Sequence, residues 1–232
     1  MDKEKLGNTF LYYKEKKDRK LYEKIENKEY KIIKILKDDH RSYVSLIEIE
    51  GENLVYKHPI EKNNRKWQRF LSIFRGSESR REFQNIEKIR EIGLNGADPR
   101  LAVEKKGGLV VIDSYFIYSY IDGRESNFED IEIISHELKK IHDLGFLHGD
   151  SHLNNFLIKK GKVYLIDTKL EKNKYGNFGK SFEFMYLEES CPEKIDFDKD
   201  NIYFKGARML RGYLTLFSRI KRKLKSIRRR KK

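Results

Sequence analysis

The chain has one cysteine, Cys191, in 232 residues. An internal disulfide is therefore excluded, and no Cys/His cluster has zinc-ligand spacing. Proline is scarce too: Pro59, Pro99 and Pro192 are the only three, no Pro/Ser-rich linker or internal repeat divides the chain, and it reads as a single catalytic or binding unit. No run approaches the ~18 to 20 consecutive apolar residues of a membrane span. The start, Met1-Asp2-Lys3-Glu4-Lys5, lacks the apolar centre of a signal peptide, so the expected location is the cytoplasm. Acids are missing from the last stretch: of the formal net charge of +14, Lys205 to Lys232 contributes 13 Lys or Arg and no Asp or Glu, leaving 38 basic against 37 acidic residues before it. The basic character belongs to the tail and the body is nearly neutral. What is present is bulk, since 14 Phe, 14 Tyr and one Trp supply the core that disordered chains lack.

Thr9 to Asn27 is polar with Leu21 and Ile25 at helical spacing, which predicts a charged N-terminal helix. Lys31–Leu36, Tyr43–Glu50 and Asn53–Lys57 read as an antiparallel meander turned at Lys37–Arg41 and Gly51. In Ser77–Ile92, Phe83, Ile86, Ile89 and Ile92 recur at threes before Gly93, an amphipathic helix with a glycine stop. A loop through Gly96 and Pro99, strands near Gly108–Ile112 and Tyr115–Ile121, and a helix over Phe128–Leu144 follow. The boundaries expected are a helical extension over 1–29, a β-rich lobe over 30–118, a helical lobe over 119–216 and a basic amphipathic tail over 217–232.

The sharpest segment is His148-Gly149-Asp150-Ser151-His152-Leu153-Asn154-Asn155, followed by the hairpin Phe156–Ile158 and Val163–Ile166 and then Asp167. A His-x-Asp, an Asn five residues after the Asp, and a second Asp twelve residues after the Asn form the set that phosphoryl transfer from ATP requires. Asp150 is placed to orient the attacking hydroxyl and accept its proton. Asn155 and Asp167 offer the oxygen ligands that Mg²⁺ prefers. Any one of these residues alone would read as an ordinary turn or strand-end residue; agreement of type, spacing and strand context over about 25 residues reverses that balance.

With His148-Gly149-Asp150-Ser151-His152 and Asn155 in place, the chain resembles the small-molecule branch of the protein-kinase-like superfamily. The helix Arg81-Glu82-Phe83-Gln84-Asn85-Ile86-Glu87-Lys88-Ile89-Arg90-Glu91-Ile92-Gly93-Leu94 and the basic C-terminal end make it most similar to the lipopolysaccharide core heptose(II) kinases, over roughly residues 30 to 225. The resemblance implies a two-lobed α+β kinase-like fold with ATP between the lobes, a lipopolysaccharide core acceptor, and four further expectations. Lys57 steadies the phosphates. Glu82 holds Lys57, with Glu78 and Glu87 as competitors. The backbone of Ser119, Tyr120 and Ile121 hydrogen-bonds adenine, and Asn173 to Asp200 builds the acceptor pocket. His142 and His152 are expected to brace the catalytic loop. Two departures argue against a regulated protein kinase, though a kinase of another acceptor (protein, ribosome-associated or aminoglycoside-like) or a non-catalytic nucleic-acid-binding protein on a kinase scaffold is the alternative: the Lys37–Arg41 turn has no glycine, leaving Lys37 and Arg41 as alternative phosphate contacts or plain surface charge, and Thr168-Lys169 stands where Phe-Gly would follow the metal-binding Asp.

In the tail, Tyr213, Leu214, Phe217, Ile220, Leu224 and Ile227 recur at threes and fours among Arg219, Lys221, Arg222, Lys223, Lys225 and Arg228, a basic amphipathic helix. Its first turns, through about Ile220, are expected to pack on the helical lobe and its end to lie on an anionic membrane, peripheral to the cytoplasmic face of the inner membrane. Nucleic-acid binding, or a purely solubilising role, is the alternative.

Overall fold

The computed structural model describes residues 1–191 and 197–230. Its first half is strand-rich: β1 (Asp2–Leu6), β2 (Thr9–Tyr13), a short helix α1 (Lys20–Glu26), β3 (Lys31–Asp38), β4 (Tyr43–Ile49), β5 (Glu52–His58), α2 (Ile60–Asn64), α3 (Lys66–Arg75), α4 (Glu78–Glu91), β6 (Pro99–Gly107) and β7 (Val110–Ser119). After β8 (Arg124–Glu125) come α5 (Ile131–Asp143), β9 (Phe146–Leu147), β10 (Phe156–Lys159), β11 (Lys162–Leu165), β12 (Glu171–Lys172), α6 (Gly176–Ser190) and α7 (Ile202–Arg230). The chain forms two compact units: Met1–Arg124 with Leu157–Ile166, and Glu125–Phe156 with Asp167–Lys232.

The first unit is built on a seven-stranded antiparallel sheet ordered β1-β2-β6-β7-β5-β4-β3. Side chains alternate between its faces with the period of a strand. Leu11, Leu101, Val103, Tyr115 and Ile117 pack with Leu21 and Ile25 of α1, while Tyr12, Ala102 and Phe116, one residue along, meet Phe83 of α4. The hairpin β10–β11 joins this unit through Asn95, whose carbonyl accepts from the Leu165 amide at 2.9 Å and whose side chain donates to the Val163 carbonyl at 3.1 Å.

Three expectations are corrected here. The N-terminal helix begins only at Lys20; Thr9–Tyr13 is a strand of the main sheet, because Leu11 and Tyr12 each bury against a different face. The loop through Gly96 ends before Pro99, which is the first residue of the strand β6, a position that needs no ladder N–H. The pair of strands around residues 108–121 is one continuous strand, β7.

In the second unit Ile134, Leu138 and Ile141 form the buried stripe of α5, and Gly145 follows the helix at φ +81°, a left-handed position that suits glycine. Asn173–Asp200, expected to line an acceptor pocket, is largely α6, with Ser181, Glu183, Phe184, Met185 and Leu187 buried. Residues 192–196 of that segment lie outside the described residues. Helix α7 packs through Phe204 and Ala207 and through Arg211, whose guanidinium pairs with Glu189 at 2.8 Å. Its contacts end earlier than expected: Tyr213, Leu214, Leu216, Phe217 and Ile220 are exposed. The side chains of Leu224 and Ile227 lie outside the described residues.

Candidate active site

In the first unit, α4 starts where Ser77 caps it, the hydroxyl accepting from the Arg80 amide at 3.0 Å. A buried carboxylate reinforces the start. Glu104, on β6, accepts from the Ser77 amide at 2.6 Å and from the Tyr12 hydroxyl at 3.0 Å; burial and the adjacent Glu104 charge push the Tyr12 phenol up. One turn on, Glu82 meets Lys57 of β5 at 3.0 Å. The two other glutamates considered go elsewhere: Glu78 pairs with Lys62 and Arg81, and Glu87 with the N-terminal amine at 3.4 Å. In the stretch after β7, the Ser119 amide donates to the Asp98 carbonyl at 2.9 Å, the Tyr120 amide to Asn53 at 3.2 Å, and the Ile121 carbonyl accepts from Gly123 at 2.9 Å. The Lys37–Arg41 turn is closed by Asp39, which accepts from the Arg41 and Ser42 amides, each at 2.8 Å.

In the second unit the loop from His148 to Asn155 is organised around a carboxylate the sequence did not single out. Glu183, buried on α6, accepts from the His148 amide at 2.9 Å and the Gly149 amide at 2.6 Å, and contacts His142 Nε2 at 2.9 Å. Its own carbonyl accepts from Ser151 Oγ at 2.7 Å. The loop is thus pinned on both sides of Asp150. Gly149 is required there: at φ +84° an added Cβ would lie 2.6 Å from the Lys169 carbonyl.

His148 links this loop to the second acidic segment. Its Nδ1 lies 3.4 Å from the Asp150 amide and its Nε2 2.8 Å from Thr168 Oγ1, while the Lys169 amide donates to the His148 carbonyl at 2.9 Å. The pattern defines a neutral ring with the proton on Nε2. Asp167, immediately before Thr168, sits at φ +48°, a left-handed conformation that a non-glycine residue keeps only when its neighbours are fixed. Asn155 Nδ2 donates to the Asp150 carbonyl at 2.8 Å, which fixes the orientation of its side-chain amide. Asp150 and Asn155 are half-buried and Asp167 is exposed. His142 braces the loop through Glu183, whereas His152 rests edge-on against Tyr186, ring centroids 5.0 Å apart.

Burial lowers the His148 pKa from the ordinary 6.5 to about 4, the neighbouring Glu183 charge opposing the shift. As pH falls from about 6.5 the unfolded chain takes up this proton before the folded one does. Stability from this group is therefore complete above about 6.5 and is lost as pH falls through about 4, at up to ~1.4 kcal/mol per pH unit in between. Melting temperatures of the wild type and His148→Asn between pH 7 and 4.5 test this: the wild type should lose stability more steeply, and parallel curves would contradict the assignment.

Among the described residues no helix is long and apolar enough to cross a membrane, and no cluster of three His, Cys, Asp or Glu forms a ready-made metal cage. One amide oxygen and one carboxylate instead suit a cation such as Mg²⁺, which keeps waters and takes phosphate oxygens for the rest of its shell.

Comparison with known proteins places these features in a family. Residues 1–181 match the family model described as lipopolysaccharide core biosynthesis protein (WaaY). The lipopolysaccharide core heptose(II) kinase WaaY of Escherichia coli K12 is 31% identical over 143 residues, 59% of this chain and 62% of that protein. A second Escherichia coli protein of the same name is 29% identical over 169 residues, 68% and 72%. The match thus spans less than two thirds of the first relative's length. The solved structure of WaaP in complex with acyl carrier protein superposes with a TM-score of 0.55 at 14% identity, covering 92% of this chain and 97% of that one. That likeness shows the fold, an α+β kinase-like arrangement of an antiparallel β-rich unit and a helical unit. The family match begins at residue 1, so the N-terminal hairpin belongs to the family pattern, and it ends at 181, before α7. With more than three quarters of its length inside that match, the chain belongs to the WaaY family of lipopolysaccharide core biosynthesis proteins.

Proposed function

We propose that this protein is an ATP-dependent phosphotransferase that moves the γ-phosphate of ATP to a heptose hydroxyl of the lipopolysaccharide inner core. The observation that carries the reading is the Glu183–His148–Thr168 network, which ties the loop of Asp150 and Asn155 to the segment of Asp167. Asp150 orients the sugar hydroxyl and takes its proton as the oxygen attacks the γ-phosphorus. The bond to the β–γ bridging oxygen breaks, and ADP leaves with the electron pair. Asn155 and Asp167 would hold Mg²⁺, which offsets charge on the phosphates. Lys57, oriented by Glu82, steadies the α/β-phosphates. Adenine's acceptor nitrogen is assigned to the Ile121 N–H, because those of Ser119 and Tyr120 already donate to Asp98 and Asn53.

The test is label transfer from γ-labelled ATP to purified, delipidated core oligosaccharide by the full chain with Mg²⁺. Label on the core at a rate well above a no-enzyme control is expected. ATP hydrolysis alone, or transfer to protein or aminoglycoside with none to the core, would contradict it.

The same reading includes a peripheral membrane location through α7. The exposed Tyr213, Leu214, Phe217 and Ile220, with ten basic residues between Arg219 and Lys232, support binding to anionic lipid at the cytoplasmic face of the inner membrane. Truncation after Ser218 should weaken co-sedimentation with anionic vesicles and remove most of its salt sensitivity; unchanged binding would count against the tail.

A further inference from the structure

Helix α3 is inside out. Its sequence, Lys66-Trp67-Gln68-Arg69-Phe70-Leu71-Ser72-Ile73-Phe74-Arg75, has the apolar spacing of a core-facing helix, yet the face that docks on the first unit is the polar one. Ser72 is buried and its Oγ accepts from the Val111 amide at 2.8 Å, while Arg69 Nε donates to the Asn63 carbonyl at 2.7 Å. The aromatic face points outward. Trp67, Phe70 and Phe74 are 67%, 49% and 78% exposed and meet in a row, Trp67 stacked on Phe70 with centroids 5.7 Å apart and Phe70 edge-on to Phe74 at 5.9 Å. Ile73 is exposed beside them, and β7, on which α3 packs, exposes Ile112 at the strand and Leu109 at the turn before it.

We propose that this face of α3 seats on an anionic membrane surface, with Trp67, Phe70 and Phe74 among the lipid headgroups. An exposed apolar row in a folded protein marks a contact surface, and the surrounding charge selects the occupant. Residues 60–75 carry Lys62, Arg65, Lys66, Arg69 and Arg75 against Glu61; Lys62 pairs with Glu78 and Arg65 with Glu61, and Arg65, Lys66 and Arg75 are exposed. Tryptophan and phenylalanine flanked by Arg and Lys are what an interfacial helix uses: aromatic rings at headgroup depth and cations on anionic lipid. A second copy of the chain would bring the same excess of positive charge against itself. RNA shares the charge complementarity, but bases stack on aromatic rings and leave the exposed Ile73 of the same helix unexplained, whereas a lipid surface takes aliphatic and aromatic groups alike. The surface is distinct from α7 and independent of the phosphotransfer chemistry.

Trp67 is the chain's single tryptophan, so its fluorescence reports this face and no other. The full chain is titrated with vesicles of phosphatidylglycerol and phosphatidylcholine, with pure phosphatidylcholine, and with vesicles brominated on the acyl chains. Anionic vesicles should shift Trp67 emission to the blue and shield it from aqueous quenchers, brominated lipid should quench it, and pure phosphatidylcholine should do little. Phe70→Ser combined with Phe74→Ser removes two exposed rings, which no core contact requires. It should leave the melting temperature unchanged and lower partitioning about tenfold or more, since even partial burial of two Phe side chains exceeds the ~1.4 kcal/mol of one decade. Vesicle binding with unchanged Trp67 emission would overturn the proposal while leaving the tail and the kinase reading intact. A blue shift that grows with protein concentration in the absence of lipid, or one produced by RNA and not by anionic vesicles, would overturn it in favour of those partners.

Discussion

Asp150→Asn and Asp167→Ala are expected to fail at different steps. Asp150→Asn keeps size and polarity but cannot accept a proton, so it should retain Mg²⁺-dependent ATP binding while turnover falls by ~10²- to 10⁴-fold, the range for loss of a positioned general base. Asp167→Ala removes the carboxylate proposed to hold Mg²⁺ and should lose nucleotide binding itself. At ATP concentrations near a hundredfold above Kd, bound nucleotide stabilises the fold by ~2.7 kcal/mol, on the order of 5 to 10 °C in melting temperature for a chain of this length. That shift should be present in the wild type and Asp150→Asn and absent in Asp167→Ala. A thermal shift retained by Asp167→Ala and lost by Asp150→Asn would reverse the assignment of the two carboxylates.

Glu183→Ala should be the most destabilising single change in the second unit. The buried carboxylate accepts from two backbone amides and contacts His142, and its loss leaves the buried His148 amide without its acceptor. A buried donor left without its acceptor costs ~1 to 3 kcal/mol. Denaturant unfolding measures it, and a loss below about 1 kcal/mol would show that the loop is held by other contacts. Glu183 touches no reacting group in this account. It positions Asp150 through the amides of His148 and Gly149, so a Glu183→Gln variant that folds should lose turnover while keeping nucleotide affinity.

The His148–Asp167 motif stood out in the sequence because the chemistry proposed for it dictates both residue type and spacing within about 25 residues of chain. Glu183 did not, because its partners lie more than thirty residues away and an isolated glutamate in a helix of mixed composition carries no local mark. The same limit explains β2 and β6. Thr9–Tyr13 was absorbed into the helical spacing of Leu21 and Ile25, and Gly96 with Pro99 read as loop although a proline may open a strand, as Pro99 opens β6. Tertiary pairing, Leu11 with Val103 and Tyr12 with Ala102, decides both. Helix α3 is a different case: its spacing is that of a buried helix, and only the hydrogen bonds of Ser72 and Arg69 reveal that the aromatic face is the outer one.

The most direct measurement of the central claim is the position of the phosphate in the product of the label-transfer reaction, read by mass spectrometry and phosphorus NMR on the isolated core oligosaccharide. One new phosphate monoester on a heptose hydroxyl, formed by the wild type with ATP and Mg²⁺ and absent with Asp150→Asn, is the predicted result. A product phosphorylated on no heptose, or phosphorylated equally by Asp150→Asn, would contradict it.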